Sequence, residues 1–331
     1  MCIQSPPFVH PKAIFTMSTT STQQQWFVVV NPASANGRTA RTWENIAQKL
    51  TQAGIPYTAA FSQRKGHSMV LTREAIRAGY RKIIAVGGDG TNNEVANGIM
   101  KQDVAHPQDV IMAVIPVGTG NDWIRTHNIP KNIDQAIAII KKGNTTLQDV
   151  GLVSFEKDSY LKGNRYFINV AGVGFDAFVT HASNHQTNFL GSSPLFYMYL
   201  VAVNVFKYTL QRAKLTFDKT ELSNRFYTIN VGICKYSGGG MQIVPQAIHD
   251  DGKFALTYAT NVSKWEVIKA TPLFRNGKIG THPKITTTHA RYIKIESIDG
   301  DAIGVEVDGE YLGETPIEFH LYDKALRVVV P

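Results

Sequence analysis

The chain has 331 residues, 43% of them apolar and 18% charged, which is the balance of a folded globular protein with room for two domains. Its formal charge of +8 points to anionic partners, whether nucleotide, acidic lipid headgroup or nucleic acid, although the basic residues are spread out rather than blocked. With only Cys2 and Cys234, neither a disulfide scaffold nor a four-ligand zinc site is expected, and a reducing cytoplasm is the expected setting.

Residues 1–25 contain "SPPF" and "STTSTQQQ" and carry little charge, so a flexible polar lead-in is predicted. No apolar core precedes a small-residue cleavage site, so no signal peptide is expected, and Met17 is an alternative start.

Strands and helices then alternate. "WFVVV" (26–30) reads as a buried strand, followed by a turn at "NPASANG" and a helical face of Trp43, Ile46, Ala47 and Leu50 ending near Gly54. A second strand is predicted at 56–61, a helix over Ser68–Ala78 closed by Gly79, a third strand at 82–86 and a helix over Asn92–Met100. "VIMAVIP" (110–116) makes the fourth strand, and Ile133, Ala136, Ile137 and Ile140 a further helical face ending at Gly143. This alternation predicts an α/β fold: a doubly wound parallel sheet with helices on both faces over residues 26–145.

After about residue 146 the texture becomes strand-rich. "YFINVAGVGF", "RFYTINVGIC", "FALTYAT", "RYIKIES", "GVEVDGEYL", "IEFHLY" and "ALRVVVP" predict an antiparallel β-rich domain over 146–331, with the last strand free to return to the first domain. One apolar stretch, "PLFYMYLVAVNVFKYTL" (194–210), is shorter than the roughly 20 residues of a membrane span and contains Asn204 and Lys207. A mostly buried helix is expected, ahead of one touching a membrane interface through Phe196, Tyr197 and Tyr199; a span is the weakest reading.

Ligands of parallel sheets sit beyond the carboxyl ends of the strands. The loops leaving those ends are Asn31–Gly37, Gly87–Thr91 and Gly118–Asp122, all rich in small residues and donors. Glycines let backbone amides approach an anion, and a following helix adds its positive end, so phosphate binding is predicted over simple tight turns. The Walker pattern and the dinucleotide fingerprint are both missing. Asp89 is out of place beside phosphate unless a divalent cation sits between them, its alternative role being to stabilise the turn.

"GGDGTNNEVANG" followed by "IPVGTGNDW" resembles the diacylglycerol kinase catalytic-domain family, which includes bacterial lipid kinases and sphingosine kinases. "NPASANG", "FSQRKGHS", "FINVAGVGFDA", "VPQAIHDDGKFAL" and "VDGE" resemble its further motifs in order, across nearly the whole chain. The resemblance implies an ATP site lined by Asn31, Pro32, Ala33, Ser34, Ala35, Arg38, Ser62, Gly88, Asp89, Gly90, Thr91, Asn92, Asn93, Glu94, Gly118, Thr119, Asn121 and Asp122. It implies that Asp89 and Asp122 organise Mg²⁺ around the phosphates. It also implies a structural magnesium on the Asp251 carboxylate and the main-chain carbonyls of Ile248 and Lys253, where the residues alone read as a turn before a strand. Two departures stand out: the first loop has Ser-Ala-Asn-Gly and Arg38 in place of Ser-Gly and Lys, and "HASNHQTNFLG" lacks the lysine often found there.

"GVEVDGEYLG" reads first as a hairpin with a two-residue Asp-Gly turn. Transfer of a γ-phosphoryl group to an alcohol needs a carboxylate at the hydroxyl, and the resemblance puts Asp308 and Glu310 there, with Glu310 preferred as base. The resulting expectation is an ATP- and Mg²⁺-dependent kinase acting on a lipid with a free hydroxyl, cytoplasmic and peripherally attached to anionic membrane. A homodimer is left open and nucleic acid is not expected. The competing classes are an NAD kinase-like enzyme and a non-catalytic nucleotide- or lipid-binding protein.

Overall fold

The computed structural model describes residues 22, 24–157, 161–190 and 202–331. Its first part runs β1 (Trp26–Val30), α1 (Ser34–Gln52), β2 (Tyr57–Phe61), α2 (His67–Arg77), β3 (Lys82–Gly87), α3 (Asp89–Lys101), β4 (Ile111–Pro116), α4 (Trp123–Thr126) and α5 (Ile133–Lys142). β1 pairs in parallel with β2 and β3, and β3 with β4, giving the order β2-β1-β3-β4.

Successive strand residues point to opposite faces, and both faces are covered. Val28, Val30 and Ile84 meet Ile46 and Leu50 of α1 and Ile137 and Ile140 of α5. Val29, Ile83 and Ala85 meet Ala75 and Ile76 of α2 and Val95 and Ile99 of α3. Local chemistry bounds these helices. The Asn132 side chain accepts from the Gln135 amide (3.2 Å) at the start of α5, and Gly143 closes it at φ +76°.

The second part runs β5 (Thr145–Lys157), β6 (Leu161–Phe167), β7 (Val170–Gly174), α6 (Phe175–Leu190), α7 (202–207), β8 (Gln211–Phe217), β9 (Thr220–Gly232), β10 (Tyr236–Ser237), β11 (Met241–Gln242), β12 (Phe254–Thr260), α8 (Lys264–Arg275), β13 (Ile285–Ala290), β14 (Tyr292–Ser297), β15 (Gly304–Val307) and β16 (Glu310–Val329). These strands pair antiparallel. β16 joins the two parts: it runs antiparallel to β5 over most of its length, then pairs in parallel with β4 through Arg327–Ile111 and Val328–Met112. One sheet therefore continues as β13-β12-β9-β7-β15-β16-β4-β3-β1-β2.

The structure corrects several sequence boundaries. α3 starts at Asp89 rather than Asn92, which places Gly90 inside the helix and the Asp89 carboxylate in its first turn. "YFINVAGVGF" is not one strand: β6 ends at Phe167, β7 starts at Val170, and Phe175 opens α6. "IEFHLY" and "ALRVVVP" belong to one strand, with a register shift between Tyr322 and Leu326 and φ +49° at Lys324. Residues 194–201 of the apolar stretch, with Phe196, Tyr197 and Tyr199, lie outside the described residues. Asn204, Val205 and Tyr208 are buried, whereas Phe206 and Lys207 are exposed. No described helix is long and apolar enough to cross a membrane.

Candidate active site

The three loops meet at the carboxyl ends of β1, β3 and β4, and named contacts hold them together. Asn31 donates its side-chain N–H to the Thr91 hydroxyl (3.0 Å), joining the first loop to the second. The amides of Val117 and Gly118 both donate to the Gly87 carbonyl (2.8 and 3.1 Å), joining the third to the second. A Cβ on Gly118 would lie 2.5 Å from the Gly88 Cα, and one on Gly87 would lie 2.3 Å from the Thr91 Oγ1. Those glycines let the loops touch each other. Of the glycines in these loops only Gly90 faces open space, whereas at Gly87, Gly88 and Gly118 the room left by the missing side chain is taken by the protein itself.

Beside Gly90, the first-turn amides of α3 have no intrahelical acceptor, which makes an anion cradle with the positive end of the helix dipole behind it. Both polar atoms of the Asn92 side chain are buried with no hydrogen-bond partner, as is the Asn121 Oδ1. In the first loop, Ala35, Asn36 and Gly37 are all left-handed (φ +51°, +56° and +77°). The regular part of α1 therefore begins only after Gly37, and the segment before it stays a loop.

Asp89 accepts from the amides of Asp122 (3.2 Å) and Trp123 (3.3 Å), so it caps the short helix that starts the third loop's exit. Burial and then the Asp122 carboxylate raise its pKa, against those amides. Asp122 itself accepts from the Gly239 amide (2.7 Å) of the β10–β11 turn and pairs with the Arg125 Nε at 3.2 Å. Two carboxylates that repel each other beside a helix N-terminus suit a cation shared with phosphate oxygens. Magnesium commonly takes one or two carboxylates and completes its shell with phosphate and water. Among the described residues no group of three or more acidic, histidine or cysteine side chains forms a closed metal site.

One helical turn beyond Asp89, Asn93 donates to the Asp308 Oδ2 (2.7 Å) and to the Tyr166 carbonyl (3.0 Å). Asp308 sits at φ +50° in the two-residue turn between β15 and β16, as an Asp-Gly hairpin requires. Its Oδ2 also takes the Ile168 amide (3.2 Å), and its Oδ1 takes the amides of Asn169 and Val170 (both 3.1 Å). This carboxylate gathers the chain break between β6 and β7. Burial pushes it up to about 6, against four donors that favour the charged form. Glu310, two residues on, is different. Its Oε1 is 2.7 Å from the Lys65 Nζ and its Oε2 is 3.3 Å from the Arg165 Nη2, while the side chain stays partly open to solvent. Arg165 in turn donates its Nε to the Asn93 Oδ1 (2.9 Å).

The remaining candidates fall into distinct places. Glu94 points to the start of α2, accepting from Gly66 (2.7 Å) and Ser68 (3.1 Å); both its oxygens are engaged in capping that helix. Ser62 is buried at the end of β2, its amide on the Val30 carbonyl (2.8 Å). Ala33, Arg38 and Thr119 are exposed, while Pro32 and Ser34 are half-buried in the first loop. Asp251 closes its own turn by accepting the Lys253 amide (3.0 Å), and Ile248 is exposed nearby. In the same turn the Gly252 amide donates to the Asp149 Oδ2 (2.8 Å). A separate cleft of about 280 Å³, lined by Trp26, Lys82, Ile140 and Gly143, lies at the opposite ends of the strands, away from all of these groups.

Sequence reasoning missed Lys65, Arg165 and Gly239. The run "SGGG" (237–240) was a readable signal for the last, since Gly238, Gly239 and Gly240 all have positive φ and Arg125 packs directly over Gly240. Nothing marked Lys65 or Arg165, whose position depends on the pairing of β6 and the start of α2.

Known families agree with this architecture. Residues 25–153 match the model of the diacylglycerol kinase catalytic domain, and residues 169–330 match that of the YegS C-terminal NAD kinase beta sandwich-like domain. A diacylglycerol kinase of Staphylococcus carnosus (strain TM300) is 28% identical over 92% of this chain and 94% of its own length. One from Staphylococcus haemolyticus (strain JCSC1435) is 29% identical, covering 92% and 87%. Among solved structures, a diacylglycerol kinase from Bacillus anthracis str. Sterne shares the fold, with a TM-score of 0.68 at 20% identity over 94% of this chain and 98% of that one. With its two parts matched in order along most of its length and its carboxylates set on the glycine loops and the Asp-Gly-Glu hairpin, the chain belongs to the diacylglycerol kinase catalytic-domain family, a family of kinases.

Proposed function

We propose that the protein transfers the γ-phosphoryl group of ATP to the hydroxyl of a lipid at a membrane surface. The observation that carries this is the α3 link: Asp89 opens the helix at the glycine loops, and Asn93, four residues or about 6 Å along the axis, fastens the hairpin that bears Glu310. The start of α3 and the hairpin that bears the candidate base are thereby tied through one helix.

In this reading residues 26–145, a doubly wound nucleotide unit, present the triphosphate to the amides at the start of α3. The first loop, with Asn31 and Arg38, and the third, with Thr119 and Asn121, flank it. Asp89 and Asp122 would hold Mg²⁺, which spreads the negative charge of the phosphates. Glu310 takes the proton of the lipid hydroxyl as that oxygen forms its bond to the γ-phosphorus, while the bond from that phosphorus to the bridging oxygen breaks and ADP leaves with the electron pair. Lys65 and Arg165 pair with the carboxylate and orient it. Asp308 does not contact substrate; it positions the hairpin. Asp251 with the Ile248 and Lys253 carbonyls would hold a structural magnesium.

The lipid part is residues 146–331. The names of the staphylococcal relatives favour diacylglycerol as acceptor, and a cytoplasmic protein attached peripherally to the membrane fits a spread charge of +8. The test is purified protein with labelled ATP, Mg²⁺ and lipid in mixed micelles, followed by mass spectrometry. A phosphorylated lipid supports the reading; NADP made from NAD, with no lipid product, overturns it.

A further inference from the structure

α8 departs from the usual pattern of a surface helix. Its inner face packs Val267 against the cluster of Phe175, Val205, Tyr208 and Tyr227, with Ala270 also buried. A helix with one apolar face normally turns polar residues outward. Here Trp265, Ile268 and Pro272, spaced i, i+3 and i+7, share the outer face. Trp265 is 66% exposed and Ile268 40%. Phe206, 50% exposed at the end of α7, continues the stripe, its ring 6.1 Å from that of Trp265.

The apolar stripe is rimmed by cations. Lys207, Lys269 and Arg275 are exposed, and no described carboxylate pairs with them. The one acid on α8, Glu266, is taken by Lys284 (2.9 Å) and by the Ser263 amide (2.7 Å). Lys264 donates to the Phe206 carbonyl and locks α8 to α7. Two residues past Phe206, the buried Tyr208 meets the exposed Phe178, their rings 5.4 Å apart.

We infer that this stripe of Phe206, Trp265, Ile268 and Pro272, with Lys207, Lys269 and Arg275 around it, is the surface that docks on an anionic lipid bilayer. Aromatic and aliphatic groups enter the headgroup–acyl boundary while the basic rim meets the phosphates, which is how interfacial helices bind. The rim of unpaired cations favours a bilayer over a second copy of the chain, whose identical face would bring like charges together. Docking of this kind would hold the proposed kinase at the surface that carries its lipid acceptor. The surface rests on the lipid-kinase reading for its purpose, though its affinity for bilayers can be measured without it.

The experiment uses the full chain, vesicles of phosphatidylcholine with and without phosphatidylglycerol, and brominated lipid as quencher. Trp265 fluorescence, taken as the difference between wild type and Trp265→Phe, should be quenched by brominated vesicles. Trp265→Ser with Ile268→Ser should abolish the salt-resistant part of co-sedimentation. Replacing Lys207 or Lys269 by Gln should weaken binding to the anionic vesicles about fivefold per charge. Val104→Ser, at an exposed site elsewhere, should change nothing. If the lipid-kinase reading also holds, the serine pair should lose transfer to vesicle-borne lipid but keep it with a dispersed short-chain acceptor. Unchanged vesicle binding in the serine pair, or no quenching of Trp265, overturns the inference. So does a serine pair that binds vesicles normally but turns a dimer into a monomer, because the stripe would then be a self-association face. Lipid phosphorylation missing in the wild type beside intact vesicle binding would sink the function and leave the docking surface standing.

Discussion

Asp308 and Glu310 are two residues apart, and their surroundings assign them different work, which Asp308→Asn and Glu310→Gln should separate. In Asp308→Asn, whichever way the amide sits, its NH₂ group faces two N–H donors: Asn169 and Val170, or Ile168 and Asn93. Two hydrogen bonds to a charged acceptor are worth about 1.5–3 kcal/mol each. Desolvation, which pushes the carboxyl up to about 6, returns part of this when the charge is removed. The net loss is on the order of 2–4 kcal/mol, a large share of the 5–15 kcal/mol of a typical fold. Glu310→Gln loses only pairs with Lys65, itself mostly exposed, and Arg165, worth within about 1 kcal/mol. Its cost should appear instead as a fall of about 10²–10⁴ in kcat, the usual worth of a general base. Urea unfolding followed by circular dichroism, beside a lipid phosphorylation assay, measures both. A folded Asp308→Asn protein with the wild-type urea midpoint but no transfer would refute the positioning role and make Asp308 the chemical group.

Gly118→Ala should impair nucleotide binding and cost about 1–3 kcal/mol, because its methyl would sit against the Gly88 backbone; unchanged ATP affinity in a nucleotide titration would contradict the loop contact. Asp89→Asn should nearly abolish transfer with only a modest stability loss, since one amide contact survives; wild-type turnover would remove Asp89 from the phosphate site. Glu94→Gln should lower stability by about 1–2 kcal/mol through the cap of α2, with residual activity in whatever folds; a loss of turnover without any loss of stability would return Glu94 to the nucleotide. His127, buried against Gln148, has its pKa lowered to about 4 by burial, so its ring stays neutral in the fold while the unfolded chain takes up a proton near 6.5. Its contribution is whole above pH 6.5 and drains away as the pH falls toward 4, and a histidine NMR titration with a midpoint above 6 would contradict this.

Much of the fold was legible where side chains signal their own surroundings. β1 and β12 match the sequence reading residue for residue, because continuous runs of apolar and β-branched residues are bounded by turn formers. β5 and β8 went unread, since "TTLQDVGLVSFEK" and "QRAKLTF" interleave polar residues and their strand state is fixed by β16, β9 and β14. The start of α3 was placed late because Asp-Gly-Thr favours turns locally, while the packing of α3 on β3 and α2 decides otherwise. At the site the loops were visible as glycine patterns, but the purpose of each glycine was not. Gly87, Gly88 and Gly118 look like Gly90 in sequence and differ only in what stands opposite them. Glu94 belongs to the same motif as Asp89, yet it faces α2, five residues around the helix. The pairing of Glu310 with Lys65 and Arg165 depends on contacts across hundreds of residues of chain and had no local trace.

The account turns on phosphoryl transfer to a lipid with Glu310 as base. The direct measurement is mass spectrometry of lipid products from wild type and Glu310→Gln, each incubated with labelled ATP, Mg²⁺ and diacylglycerol or another hydroxyl-bearing lipid in mixed micelles. The account predicts a lipid carrying the labelled phosphate from the wild type and about 10²–10⁴ less from the folded variant. A wild-type protein that binds ATP yet labels no lipid, or a Glu310→Gln protein that labels lipid at the wild-type rate, would contradict it.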